Sequence, residues 1–342
     1  MLKFGFRRGE ITVRLITFAV IACLAVACAV GCANREGKSE AKLSAQASVS
    51  KDVERLIDQL SSKDAAERGR AAFNLAKLGF EAKPAVPDLI AMLDDDAKLT
   101  SFDIHQDRSI SSTYQTTPAE QAMYALIQIG EPAVEELFSI YRTSEPAVKT
   151  RTTDALKHII SRRPLEKIQK DLKSSDPAVR TIAVLALGVG IDPRVALLQD
   201  SLRDTDPEVR RSAVESLRWI GGPNTDPWEI SKILQDTYSD KDPKVREEVV
   251  RSIGYIAENG SQVSVEGWIF DALHDDDPNV RREAVYWLGW HKRFNAVMPL
   301  IRRLEDESPT VRSKAAWSLW QITGHNYGQD KAKWEKWWNQ NN

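Results

Sequence analysis

The sequence predicts an all-α fold, an α-solenoid in which about eight helix pairs stack into a superhelix closed by a capping C-terminal helix. Three observations carry this prediction. Asp-Pro-x-Val-Arg occurs four times, at Asp176–Arg180, Asp206–Arg210, Asp242–Arg246 and Asp277–Arg281, with near copies at Glu145–Lys149 and Ser308–Arg312. The basic residues that close these copies, 149, 180, 210, 246, 281 and 312, lie 31, 30, 36, 35 and 31 apart, a period of stacked helical hairpins. Each copy then opens an apolar column at i, i+4 and i+8: Val179, Ala183, Leu187; Val209, Ala213, Leu217; Val245, Val249, Ile253; Val280, Ala284, Leu288; Val311, Ala315, Leu319.

The pentapeptide recurs because each position helps to start a helix. Asp accepts hydrogen bonds from the unpaired first amides, Pro at the first helical position sacrifices no bond, and the carboxylate faces the positive end of the dipole. Each cap contributes about 1 kcal/mol. Glycines at Gly79, Gly130, Gly221, Gly289 and Gly324 are placed to end such helices in the left-handed conformation.

In chain order, residues 1–32 have the layout of an export signal and 33–50 are rich in Ala, Ser, Lys and Glu without an apolar period, which reads as a flexible tether of about 25 Å. Asp52–Leu60 is a leading helix. Two divergent units follow, Asp64–Gly79 with Ala85–Leu93 and Pro118–Gly130 with Pro132–Tyr141, separated by a polar insertion at Ala97–Thr116. The clear repeats then run to residue 323, with second helices such as Val195–Arg203, Pro227–Tyr238, Val265–His274 and Ala296–Glu305. Residues 324–342 form a Trp-rich cap.

The pattern Asp-Pro-x-Val-Arg-x-x-Ala-x-x-x-Leu over residues 51–323 resembles the HEAT repeat, and the 30–36 residue period is similar to the variety called phycobilisome-lyase HEAT-like repeats. The resemblance implies a binding surface more often than a reaction. It also implies that Asp176, Arg180, Asp206, Arg210, Asp242, Arg246, Asp277, Arg281 and Arg312 form a structural hydrogen-bond ladder along the stack. Glu145 with Lys149, Ser308, and Ala65 in place of proline depart from the pattern at both ends.

Lys3, Arg7, Arg8 and Arg14 precede a 17-residue apolar run, Leu15–Gly31. This resembles a bacterial lipoprotein signal, whose cleavage box ends in a small residue followed by cysteine. Ala29-Val30-Gly31-Cys32 matches, except that Ala replaces the usual Leu, and the resemblance makes Cys32 the lipid acceptor, with Cys28 a second candidate. The protein is then expected on the cell envelope, lipid-anchored and facing away from the cytoplasm. Ala25-Val26-Ala27 also fits ordinary signal cleavage, which gives a soluble exported protein, and the apolar run is marginally long enough to stay as an anchor. All three cysteines fall in this segment, so none is left for a structural disulfide.

Beyond residue 32 the chain has 43 basic and 48 acidic residues. A mildly acidic body argues against nucleic acid as the partner. The five histidines are scattered among different units, and neither a glycine-rich phosphate loop nor Gly-x-Ser-x-Gly occurs, so no catalytic residue, cofactor or metal is assigned. Asp103, His105 and Asp107 alternate in the insertion, but a lone His between two Asp in a polar loop reads as solvated.

Candidate interface residues remain. All ten tryptophans lie between Trp219 and Trp338. Trp334, Trp337 and Trp338 share one face of the last helix, where capping outweighs binding. Trp287, Trp290 and Trp317 serve core and interface equally well. Phe102 and Tyr114 of the insertion suit contact with a peptide. Arg302 and Arg303, among several paired bases, suit an acidic partner or anionic lipid, within a surface that also carries Glu247, Glu248, Glu283 and Glu305. The reading that needs least is a membrane-tethered, non-catalytic scaffold for a protein or peptide partner. A phycobilin lyase-like or chromophore-chaperone protein and a HEAT-like DNA glycosylase are the alternatives, and an export signal argues against both.

Overall fold

The computed structural model describes residues 37–100, 103–104, 115–189, 195–220, 227–258 and 266–341. The chain divides into two compact units, Met1–Asp52 and Val53–Asn342. Cys28, Cys32 and the apolar run Leu15–Gly31 lie outside the described residues, as do Phe102, His105, Asp107 and Tyr114. No described helix is long and apolar enough to cross a membrane.

Helix α1 spans Gly37–Leu60, so the stretch expected as a tether is helical from Gly37 onward. Ala41, Ala45, Ala47 and unbranched Lys38, Glu40 and Lys42 favour helix, and no proline interrupts them. The second unit then alternates long first helices with short second helices. The first helices are α2 (Ala65–Leu78), α4 (Pro118–Ile129), α6 (Pro146–Ser161), α8 (Pro177–Val189), α10 (Pro207–Trp219), α12 (Pro243–Glu258), α14 (Pro278–Trp290) and α16 (Pro309–Thr323). Their partners are α3 (Val86–Ala91), α5 (Val134–Tyr141), α7 (Leu165–Asp171), α9 (Val195–Ser201), α11 (Pro227–Thr237), α13 (Glu266–Ala272) and α15 (Val297–Arg303), and α17 (Lys331–Asn341) closes the chain.

Consecutive first helices pack side by side from α2 to α16, and each second helix lies against the first helix that follows it. The columns read from the sequence form the core: Val209, Ala213, Leu217, Val245, Val249, Ile253, Val280, Ala284, Leu288, Val311, Ala315 and Leu319 are all buried. The small central residues let neighbouring helices approach. Gly188 and Gly289 sit so close to the next first helix that an added Cβ would come within 2.9 Å of Ser216 and 2.4 Å of Ser318. Those buried serines donate across the contact, Ser216 to the Val184 carbonyl at 3.1 Å and Ser318 to the Val285 carbonyl at 2.8 Å.

Helix starts follow the capping logic. Asp64, Asp176, Asp206, Asp242 and Asp277 each accept from the amide two residues on, at 2.7–2.9 Å, and Thr117 forms a capping box with Glu120. Helix ends follow it in part. Gly324 is left-handed, with φ 76° and ψ −5°, whereas Gly79 and Gly130 have positive φ of 56° and 79° with ψ of −127° and −133°, outside the left-handed helical region, and Gly289 is inside α14, reserved for the close contact with Ser318. Gly221 lies outside the described residues.

The insertion leaves from the turn before α4. Its base is an antiparallel pair, β1 (Leu99–Thr100) with β2 (Gln115–Thr116), closed by the Ala119 amide on the Asp95 carbonyl at 3.1 Å. Leu99 and Ile104 are buried over Gly69, where an added Cβ would come within 2.7 Å of both. Asp103 accepts from the Thr100 amide and hydroxyl at 2.7 and 2.8 Å, and those bonds hold its carboxyl below the usual range. Its role is to tie the insertion base.

Terminal α17 lies on α15. Trp334 is completely buried, donating from Nε1 to the Gly328 carbonyl at 2.9 Å. Trp338 meets Phe294 with ring centroids 5.5 Å apart. These indoles cover part of the face that α15 and its neighbours present to α17.

Candidate functional site: the ladder and the first-helix wall

The recurring arginines do cross-link successive repeats, but their acids are not the capping aspartates. Arg180 pairs with Asp204, Arg210 with Asp240, Arg246 with Asp275 and Arg281 with Asp306, each through Nε and Nη2 at 2.6–2.9 Å. Each acid stands two residues before the next cap. Its Oδ1 also accepts the cap residue's amide, from Asp206, Asp242, Asp277 and Ser308 at 2.8–3.0 Å. Nη1 of each arginine turns back to its own turn's carbonyls; Arg312, which has no following repeat, keeps only this half, to Asp306 and Glu307 at 2.8 and 3.0 Å. Asp206, Asp242 and Asp277 are therefore caps and not rungs, whereas Asp176 caps its helix through Oδ1 and takes Arg142 of the preceding repeat through Oδ2. The missed signal was an aspartate two places earlier, as in Asp204-Thr205-Asp206, Asp240-Lys241-Asp242 and Asp275-Asp276-Asp277.

Burial works against ionisation of Asp204, Asp240, Asp275 and Asp306. The arginine and backbone hydrogen bonds outweigh it and hold all four carboxyls below the usual carboxylate range. Tyr238 donates its hydroxyl to Asp275 at 3.0 Å; burial and that carboxylate raise the phenol. These groups are consumed by structure.

The outward faces of the first helices make a wall. From α10 to α14 it is a web of charge. Arg211 bonds Glu208 and Glu215; buried Glu248 takes Arg218 at 2.9 Å and Arg251 at 2.7 Å; Glu247 takes Arg251 and Arg282. Burial raises the Glu248 carboxyl despite these cations. The paired bases Arg210-Arg211 and Arg281-Arg282 thus split their duties, the first residue to the ladder and the second to the web.

Beyond α14 the wall turns aromatic. Tyr286 stacks between Trp290 and Trp317, with centroids at 5.8 and 5.4 Å and interplanar angles of 28° and 13°. The Lys314 ammonium lies 5.0 Å from the Tyr286 ring and 4.7 Å from that of Trp317. Beside this stack an open groove of ≈ 480 Å³ runs between α14 and α16, lined by Arg282, Pro309, Thr310, Ser313, Lys314 and Trp317. A second, of ≈ 470 Å³, lies at Arg68, Asp94 and Asp95 near the other end.

The structure sorts the interface candidates. Trp317 is half-buried at the groove and Trp290 is 38% exposed beside it. Trp287 is 6% exposed: it fills the space over Gly254, where an added Cβ would come within 2.2 Å of its ring, and donates to Glu283 at 3.1 Å. That makes it core, a correction the sequence hides because Gly254 is a full repeat away. Arg302 is exposed on α15, while Arg303 leans on Asp306 at 3.5 Å. Among the described residues no group of His, Cys, Asp or Glu is arranged to hold a metal ion.

The family described as HEAT repeats matches residues 165–228 and 265–332. Among curated proteins none matches the chain. Among solved structures, human deoxyhypusine hydroxylase in complex with glycerol is 20% identical over 82% of this chain and 99% of its own, with a TM-score of 0.31. The CpcE–CpcF complex of phycocyanin lyase from a Nostoc species is 20% identical over 84% and 94%, TM-score 0.30. Kap95p, in a structure with RanGDP, is 13% identical over 80% of this chain and 40% of its own, TM-score 0.38. Residues 165–228 and 265–332 thus match HEAT repeats, and the described body is an α-solenoid of stacked helix pairs.

Proposed function

We propose that the protein is a non-catalytic docking scaffold, anchored on the outer side of a bacterial membrane through Cys32 or Cys28, whose first-helix wall receives a protein or peptide partner. The observation that carries this reading is the groove between α14 and α16. A half-buried indole, Trp317, an ammonium, Lys314, and a guanidinium, Arg282, converge there with the hydroxyls of Thr310 and Ser313. Large rings flanked by cations are what peptide-binding surfaces use as anchors, and they favour a segment that carries a carboxylate beside an apolar side chain. The recurring Asp and Arg residues do not compete for this role, since the ladder occupies them.

A photoreactive residue replacing Ser313 in the full chain, expressed in its own cells, tests the site. A discrete adduct that disappears when Trp317→Ala is added is the expected result. No adduct, or one indifferent to Trp317, would remove the groove from the proposal. The anchor is tested separately: palmitate labels the chain, and Cys32→Ala, or Cys28→Ala if that residue is the acceptor, abolishes the label.

A further inference from the structure

Because all first helices run parallel and all second helices return, the solenoid has two edges of different chemistry. Turns leading into first helices carry the ladder, whose acids are matched by Arg180, Arg210, Arg246 and Arg281. The C-terminal ends of first helices carry exposed apolar side chains. The last residues of α8, α10 and α14 are Val189, Trp219 and Trp290, exposed by 37%, 49% and 38%. The matching position of α12 is Tyr255, in ring contact with Trp219 at 5.2 Å. Soon after α10 and α14 in the chain come Trp228 at 55% and Phe294 at 48% exposed. With first helices about 9 Å apart, this row is about 30 Å long.

We propose that this edge lies in the headgroup region of a lipid bilayer. Single large side chains spaced along an edge do not form the desolvated central cluster that a protein partner needs. They match the interfacial preference of Trp and Tyr, whose rings sit at headgroup level. A basic side chain accompanies them: Lys292 is exposed two residues before Phe294, while Arg218, over the Trp219 ring at 5.0 Å, is held by Glu248 and serves to fix that indole. Long basic side chains extend toward anionic headgroups from such positions. Among the described residues the opposite edge carries the paired charges of the ladder and no such row of exposed rings, so the aromatic edge sets the orientation. The same chain also carries the basic-flanked apolar run Leu15–Gly31, which ends six residues before the first described helix. The inference rests on the membrane part of the proposed function and adds to it a second contact and an orientation.

Residues 1–218 contain no tryptophan, so indole fluorescence reports the solenoid and not the anchor. The full chain is reconstituted into phosphatidylethanolamine–phosphatidylglycerol vesicles brominated on the acyl chains near the headgroup. Quenching of the wild type is expected. Trp219→Ser with Trp228→Ser should remove most of it while the helical circular dichroism stays unchanged, and Trp317→Phe on the wall should leave it intact. Phe294→Ser, which removes no indole, should weaken the quenching of those that remain. Vesicle-bound wild type without quenching, or quenching indifferent to Trp219 and Trp228, would overturn the inference and leave the edge to a protein partner. Failure of the anchor is distinguishable, since the chain then leaves the vesicle fraction.

Discussion

The repeats from α8 to α16 and those from α4 to α8 share one architecture but are fastened differently. In the first region each junction has the same two-point guanidinium–carboxylate rung. In the second, Gln121 and Lys149 occupy the arginine position, and Thr143 and Ser174 the acid position. Bonds that do not repeat bridge that gap. Arg142 reaches Asp176, Arg151 reaches Asp96 and the Leu93 carbonyl, and Arg163 reaches Glu131 and Asp171. Packing records the difference. Val209, Val245, Val280 and Val311, each following a rung, are buried, whereas Val148 and Val179, each following a junction without one, are half-buried. A rung thus does more than pair charges: it draws the first turn of the next helix onto the stack.

Acid should expose this contrast most strongly, because it acts on every rung at once. The carboxyls of Asp204, Asp240, Asp275 and Asp306 are depressed in the fold, so their contribution is complete above the ordinary carboxylate range and is lost as pH falls through their lowered values. Glu248 opposes them, since burial raises its carboxyl and protonation then favours the folded state. The looser region has depressed carboxyls of its own, Glu131 and Asp176, but they are 52% and 34% exposed, so amides of α10, α12, α14 and α16 should lose hydrogen-exchange protection on acidification more steeply than those of α4 and α6. Equal losses in both regions would mean the rungs add nothing to packing.

Breaking one rung comes next. Asp240→Ala strands the Arg210 guanidinium, 6% exposed against a 10% exposed carboxylate, and should cost about 3–5 kcal/mol by urea denaturation. Asp96→Ala, at an ion pair whose acid is 62% exposed, should cost less than about 1 kcal/mol. A similar cost for both would erase the distinction between the two kinds of fastening. Gly254→Ala should fall between, at about 1–3 kcal/mol, because the new methyl meets the Trp287 ring; Trp287→Leu should relieve part of that cost in the double variant.

The pentapeptide, the period and the apolar columns were legible because they are local and repeated, and they predict first helices that the structure reproduces. The partners of the ladder were only half legible. Arginine announces itself within the pentapeptide, but its acid lies a repeat away, and the eye settles on the capping Asp because that residue belongs to the same word. Trp287 was undecidable for the same reason: its environment is Gly254 on another helix. The groove at Trp317 follows from how α14 and α16 meet, which no single helix's sequence contains. Helix in residues 37–50 was missed because the stretch has no apolar period, so only propensity favours it.

The smallest effect sharpens the comparison furthest, by writing the missing rung into the looser region. Ser174 already accepts the Asp176 amide through its hydroxyl at 3.2 Å, the bond that Asp204 makes to Asp206. An aspartate at 174 can therefore keep that bond and face residue 149. Ser174→Asp alone adds a carboxylate near Asp171 and Asp176 and should be neutral or slightly destabilising. Lys149→Arg alone keeps a cation near the Tyr141 ring, now 4.7 Å from Lys149 Nζ, and should also be near neutral. Together they should couple favourably by about 0.5–1 kcal/mol in a double-mutant cycle, and the amides around Val179 should gain hydrogen-exchange protection. Strict additivity, with Val179 no better protected, would show that the looser first turn is set by the short α7 helix beneath it and not by the absent rung.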